Sequence, residues 1–234
     1  MLLHNSDIPL FPLSVVLFPG MLLPLHIFEE RYKAMIRQCL ATDQSFGVVL
    51  AKTNQAQAPN VANLYPSDLY EVGTTARITA VENLTDGRMN LITVGQDRFV
   101  IKDIRASQED YLIGQVDPYP LEEDQNDPQV VALAQKLRPM VTQYINHLAD
   151  ASGEDLSDAT LPTGPIALAF LAGTALQGPL PDKQRLLSAK SLSKLIADAV
   201  SVLDLEDQIL VYMLQAYNTH QQVERLPFVD YSLN

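Results

Sequence analysis

Between Ile8 and Leu50 the chain reads IPLFPLSVVLFPGMLLPLHIFEERYKAMIRQCLATDQSFGVVL, an apolar stretch cut by Pro9, Pro12, Pro19 and Pro24. A proline has no N–H to donate and pushes the residue before it toward extended geometry, so this stretch cannot be one helix. It reads as short extended segments joined by turns. Ile8, Leu10 and Val15 to Phe18 are strand-like, Pro19-Gly20 is a turn dipeptide, and Leu23 to Ile27 is a second extended segment. From Phe28 the period changes. Phe28, Tyr32, Met35, Ile36, Cys39 and Leu40 recur at intervals of three and four, the stripe of a half-buried helix, with Glu29 and Glu30 in its first turn to favour the positive end of the helix dipole.

Beyond the polar connector from Lys52 to Asn63, the pattern turns to strands. Val72, Thr74, Ala76, Ile78 and Ala80 alternate, and Asp86-Gly87 supplies a hairpin turn before a strand from Met89 to Val94. Gly95-Gln96-Asp97 reads as a further turn, followed by strands over Phe99–Ile104 and Tyr111–Val116. Sequential strands with tight turns predict antiparallel pairing, most simply closed as a small barrel. At Asp117 the pattern changes again. Pro118, Pro120 and the acidic run from Glu122 to Asp127 read as a solvated linker, and helical spacing follows in Val130 to Leu148. Ile166–Leu176 is a compact apolar helix with small residues, and Gly178-Pro179-Leu180-Pro181 breaks it. Asp182 is placed to cap a helix holding Leu186, Leu187, Leu192, Leu195 and Ile196, which continues toward Leu203 or breaks before it, and Leu205–Tyr217 forms an apolar-faced last helix. The expected division is a sheet domain over 1–118, a helical subdomain over 119–217 and an irregular tail over 218–234.

Composition narrows the function classes. With 47% hydrophobic and 19% charged residues, the 234-residue chain buries a core of its own. A net charge of −12 and the lack of a basic stripe argue against nucleic acid. No apolar run reaches the roughly 20 residues of a membrane span, the amino terminus has no secretory pattern, and cytoplasm is the expected location. Cys39, the one cysteine, excludes an internal disulfide and is expected to pack as a small hydrophobe.

Enzyme-like patterns are present but incomplete. Ser191-Leu192-Ser193-Lys194 matches S-x-x-K, yet it lies in an ordinary amphipathic pattern without the companion motifs of acyl-enzyme hydrolases. His4, His26, His147 and His220 are scattered, and Glu122, Glu123, Asp124 and Asp127 lack the spacing and glycine of a calcium loop. No catalytic, cofactor or metal residue is assigned. Arg98 is placed to pair with a carboxylate near its turn. Phe18, Met21, Leu22 and Leu23, beside the Pro19-Gly20 turn, are candidate contact residues, with core packing as the alternative. A groove between the sheet and the helices is a second candidate.

The opening segment, IPLFPLSVVLFPGMLLPLHIFEERYKAMIRQCL, resembles the start of the Lon protease amino-terminal domain family. Val72-Gly73-Thr74, Asp86-Gly87 and Gly95-Gln96-Asp97-Arg98 resemble that family's second signature, and LPDKQRLLSAKSLSKLIADAVSVL is similar to the helix pair that follows. The resemblance covers roughly residues 7 to 210. It implies an α+β fold, a PUA-like antiparallel β-barrel with one long helix followed by an all-α helical bundle. It also implies a non-catalytic, protein-binding module that recognises unfolded or exposed apolar polypeptide segments, linked to a protease or chaperone system. A structural adaptor or homo-oligomeric scaffold holding one folded partner is the alternative. A Lon ATPase needs a phosphate loop ending in Gly-Lys-Ser/Thr, and the 234 residues carry none, so the expectation is a free-standing member without ATPase and peptidase domains.

Overall fold

The computed structural model describes residues 4–52, 66–122, 126–153 and 160–224. Most of the polar connector, the centre of the acidic run and the centre of the polar connection that the sequence suggests over Ser152–Thr163 fall outside these. Six strands and five helices follow one another: β1 (Ser6–Leu13), β2 (Leu22–Ile27), α1 (Glu30–Thr42), β3 (Phe46–Leu50), β4 (Val72–Asn83), β5 (Met89–Ala106), β6 (Leu112–Pro118), α2 (Pro128–Ser152), α3 (Pro165–Ala175), α4 (Leu180–Leu187) and α5 (Leu192–Glu224).

The strands form one sheet in the order β2-β5-β4-β3-β1-β6, and β5 also pairs with β6, which gives a partial barrel-like ring. The expected all-antiparallel pairing is wrong at one place: β1 runs parallel to β3, with Leu10 opposite Gly47 and Leu13 opposite Leu50. The reason is α1. A parallel pair needs a crossover between its strands, and the segment that carries β2 and α1 is that crossover. The two prolines of β1 are tolerated because its neighbours are offset. Pro9 sits opposite β6, where pairing with β3 has not begun, and Pro12 sits opposite β3, where pairing with β6 has ended.

One expected break is absent, and one expected strand does not form. Gly95-Gln96-Asp97 is not a turn, because β5 runs unbroken for 18 residues; the register against β4 shifts between Thr74 and Ala76, so the extra residues form an irregularity inside the ladder. Val15–Phe18 belongs to no strand, with a bend at Ser14-Val15. The Pro19-Gly20 turn is present: the Met21 N–H donates to the Phe18 carbonyl, and Gly20 has φ +83°, as the third position of a type II turn requires. Asp86-Gly87 likewise turns β4 into β5, with Gly87 at φ +81°.

In α1 the stripe buries Tyr32, Met35, Ile36 and Cys39, whereas Phe28 precedes the helix and is exposed, as is Leu40. Asp127, read as linker, caps α2 by accepting from the Gln129 N–H, ahead of Pro128 in the first turn. Asp182 caps nothing. It lies in the first turn of α4, whose cap position is Pro179, and α4 ends at Leu187, so Leu186 and Leu187 belong to a different helix from Leu192, Leu195 and Ile196. The last helix neither starts at Leu205 nor ends at Tyr217, because α5 is a single run of 33 residues, about 50 Å long at 1.5 Å per residue. Residues 218–224, expected to be irregular, are therefore helical.

Candidate functional site

Residues 16 to 23 join the sheet to the helices. Successive side chains here enter two different cores. Leu17 packs among Phe11, Tyr32, Met35 and Phe46 of the sheet and α1, while Val16 and Phe18 enter the core formed by α2 to α5. The Phe18 ring lies 6.3 Å from that of Phe170 and rests on Gly173 of α3, where an added Cβ would stand 2.6 Å from the ring. Gly95 serves the same junction: a Cβ there would meet the Phe18 carbonyl oxygen at 2.2 Å, and Gly95 and the turn exchange backbone bonds of 2.8 and 2.9 Å. Its role is close approach, not turning.

The four candidate contact residues consequently separate. Phe18 is fully buried, Leu23 is buried in the sheet core, Met21 is partly buried between both cores, and Leu22 stands out at 63% exposure. Leu22 belongs to a solvent-facing apolar strip. Leu22 sits opposite Val94 and Pro24 opposite Ile92, so these four side chains share one face of the β2–β5 pair. Ile92 is exposed, and Phe28, at 61%, stacks against His26 at the end of the strip. His26 itself bonds to Asn90 at 2.8 Å. Among the described residues, β2 has β5 on one side and no strand on the other.

The polar half of the junction centres on Arg98, for which no carboxylate among the described residues is the partner. Arg98 is buried, and its Nη1 donates to the carbonyls of Leu187 and Ala189 at 2.6 and 2.7 Å, at the end of α4. The Leu187 carbonyl belongs to the last turn of α4, where the negative end of the helix dipole lies, and the Ala189 carbonyl follows just past its cap, so main-chain oxygens take the place of an acid. The guanidinium also lies 5.0 Å over the Tyr119 ring and 5.8 Å from that of Phe170, while its Nη2 meets no acceptor among the described residues. Burial lowers its pKa to about 10, so it stays charged at neutral pH. Three further donors reach the same region: Tyr119 Oη to the Ser188 carbonyl, the Glu122 N–H to Lys190, and Gln184 Nε2 of α4 to the Val72 carbonyl of β4. Sequence reasoning missed this cluster, since its acceptors are main-chain atoms.

The enzyme-like patterns have structural partners. Ser191 stands immediately before α5 and accepts from the Lys194 N–H, while Lys194 Nζ pairs with Asp198 at 2.6 Å, so neither group is aimed at the other for catalysis. His147 bonds to Asp207 at 2.6 Å, an acidic companion the sequence did not reveal. Burial pushes the Cys39 thiol up to about 11, the range of an inert thiol. No helix among the described residues is long and apolar enough to cross a membrane.

The model of the ATP-dependent protease La (LON) substrate-binding domain matches residues 7–204. The chain belongs to this family. Lon protease of Anaeromyxobacter dehalogenans is 26% identical over 216 residues, and Lon protease 2 of Myxococcus xanthus 27%. Each match takes in 89% of this chain but only 25% of the protease, so the chain spans about a quarter of the length of these relatives. The crystal structure of a Lon N-terminal domain protein from Xanthomonas campestris superposes with a TM-score of 0.60 at 24% identity, covering 84% of this chain and 98% of that one. The N-terminal domain of the Mycobacterium avium complex Lon protease gives 0.64 at 17%, covering 85% and 98%. The fold is that of a Lon N-terminal domain, with the mixed sheet and five helices described above.

Proposed function

We propose that this LON substrate-binding domain is a non-catalytic module that recognises unfolded or exposed apolar polypeptide segments, holding them along the open edge of β2 for a cytoplasmic protease or chaperone system. The observation that carries the reading is the coincidence, among the described residues, of an unpaired strand edge with an exposed apolar strip of Leu22, Pro24, Ile92 and Phe28, beside the half-buried Val94. Unfolded chains share a backbone but no sequence. An open edge offers main-chain hydrogen bonds to any extended segment, and the strip beside it adds apolar contact without demanding particular side chains. Pro24 interrupts the donors of that edge, which limits pairing between two such edges.

In this reading Phe18 and Leu23 hold the segment in place from the two cores, and Met21 and Leu22 meet the client. Recognition belongs to the sheet part, residues 1–118, and the helices of 119–217 support it. The test is fluorescence anisotropy with labelled, reduced and carboxymethylated lactalbumin against the native, disulfide-intact protein. The unfolded form binds at least ~10-fold more tightly, a difference of about 1.4 kcal/mol. The double variant Leu22→Asp, Ile92→Asp loses that preference without a change in thermal stability beyond a few degrees. Equal binding of native and unfolded forms, or full binding by the variant, refutes the proposal.

A further inference from the structure

The family match ends at residue 204, and α5 continues to Glu224 with a different character. Up to Leu203 its apolar side chains Leu192, Leu195, Ile196, Ala199, Val202 and Leu203 are buried against the other helices. Beyond it, Leu205, Ile209, Tyr212, Met213 and Tyr217 are more than half exposed, while Leu210, Val211 and Leu214 on another side are partly buried. A helix apolar on more than one side is expected to be covered on more than one side.

We infer that this face is the contact between two copies of the chain, packed antiparallel through α5 about a two-fold axis that passes between Ile209 and Met213. Three observations select a second copy as the occupant. First, the row is self-complementary. Leu205, Ile209, Met213 and Tyr217 are spaced by four and symmetric about residue 211, so an antiparallel partner sets Ile209 against Met213 and Leu205 against Tyr217 in both directions, as an isologous contact requires. Second, the row borders a cavity of about 650 Å³ whose walls are Tyr144 and Leu148 of α2, the Gln177–Pro179 turn, and Leu205, Ile209 and Met213. The second copy's Tyr217 comes to lie beside Leu205 at that cavity, an aromatic anchor over an apolar hollow.

Third, charge and area allow it. The chain carries −12 overall, so self-association is opposed wherever acids meet, but from Gln208 to Val223 there is no Asp, Glu, Lys or Arg. Glu206 and Asp207, at the edge of the row, are engaged within the chain: Glu206 accepts from Tyr144 Oη and from the N–H groups of Gln177 and Gly178, and Asp207 accepts from Gln143 and bonds to His147. Antiparallel packing also sets the two acidic bodies at opposite ends of the helix pair. With 150–250 Å² for a fully exposed large side chain, the five residues present roughly 500–600 Å² per copy. Two such faces, together with the cavity walls, approach the roughly 1,200 Å² at which specific interfaces begin. The contact is independent of the β2 edge and of what that edge binds.

Sedimentation equilibrium of the full chain tests the inference. The expected mass is twice the 25.9 kDa of one chain at micromolar concentrations. Ile209→Lys alone and Met213→Glu alone each weaken the dimer at least ~30-fold, about 2 kcal/mol. Both together restore it, because antiparallel packing sets the introduced lysine of one copy against the introduced glutamate of the other. Circular dichroism keeps the fold in view, and these exposed positions leave it intact. A monomer at ~200 μM overturns the inference, as does a dimer that survives the single variants or a double variant that stays monomeric. Truncation after Glu224 that turns a monomer into a dimer would give the face to residues 225–234 instead and would equally overturn it.

Discussion

Phe18 and Arg98 both pass from the sheet side into the helices, and they do so by opposite means. Phe18 asks only for space, which Gly173 and Gly95 provide by having no side chain. Arg98 asks for acceptors, which the end of α4 provides with main-chain oxygens. The apolar plug is held by everything around it at once, whereas the cation is held by two directed bonds and two ring faces, with one nitrogen unpaired among the described residues. One junction thus combines a tolerant contact with a demanding one. The expectation is that packing supplies most of the energy and that the directed bonds fix the angle at which the helices sit.

The most severe way to break the comparison is Phe18→Ala. The ring is fully buried on Phe170 and Gly173 of α3, with Gly95 of β5 against its carbonyl, so the hole cannot collapse without moving a helix. A loss of about 3–5 kcal/mol is expected from urea denaturation. Gly173→Ala, which places a Cβ against the ring, should cost about 1–3 kcal/mol in the parent and much less in the Phe18→Ala background, since the clash is then gone. Equal costs in the two backgrounds would mean that the two residues do not share one site.

Arg98→Ala is next, at about 2–4 kcal/mol, because it leaves the Leu187 and Ala189 carbonyls buried without donors. Arg98→Met should lose less, since it restores the volume and removes a charge that is expensive to bury. The pH dependence has a definite sign. Burial lowers the Arg98 pKa from 12.5 to about 10, so between those values the unfolded chain binds the proton more strongly than the folded one. Stability of the parent relative to Arg98→Met therefore rises with pH across that window, as the cost of the buried charge is lifted. A parent that loses ground to the variant there would show that the charge stabilises the fold.

These two residues also mark what the sequence could say. The hairpin at Asp86-Gly87, the turn at Pro19-Gly20, the stripe of α1 and the switch from strands to helices after Pro118 were all legible, because each follows from local backbone chemistry or period. The parallel pairing of β1 with β3 was not, since it depends on where a crossover returns the chain. Phe18 was legible as apolar, but a side chain two residues from a turn can face solvent or a second core, and Gly173, 155 positions away, decides between them. Arg98 suggested a carboxylate partner because sequence displays side chains and hides carbonyls. The exposed row of α5 reads as an apolar face, and nothing in its pattern tells a face toward α2 from a face toward solvent.

The mildest changes give the finest reading of the junction. Tyr119→Phe removes the bond to the Ser188 carbonyl, and Gln184→Ala removes the bond to Val72; each should cost about 1 kcal/mol. Their value lies in how the cost is distributed. Cys39 is buried on α1 in the sheet core and its thiol is inert while that core is closed, so its labelling reports opening of the sheet part alone, whereas far-UV ellipticity is dominated by α2 to α5. In the parent, labelling and ellipticity should follow one denaturation curve, because Val16, Phe18, Leu50 and Val72 belong to the helical core and tie the parts into one unit. If directed bonds fix only the angle of the helices, Tyr119→Phe and Gln184→Ala shift both curves together, and Phe18→Ala alone separates them. If the small variants separate the curves as well, cooperativity runs through the polar bonds, and the roles of plug and cation are reversed.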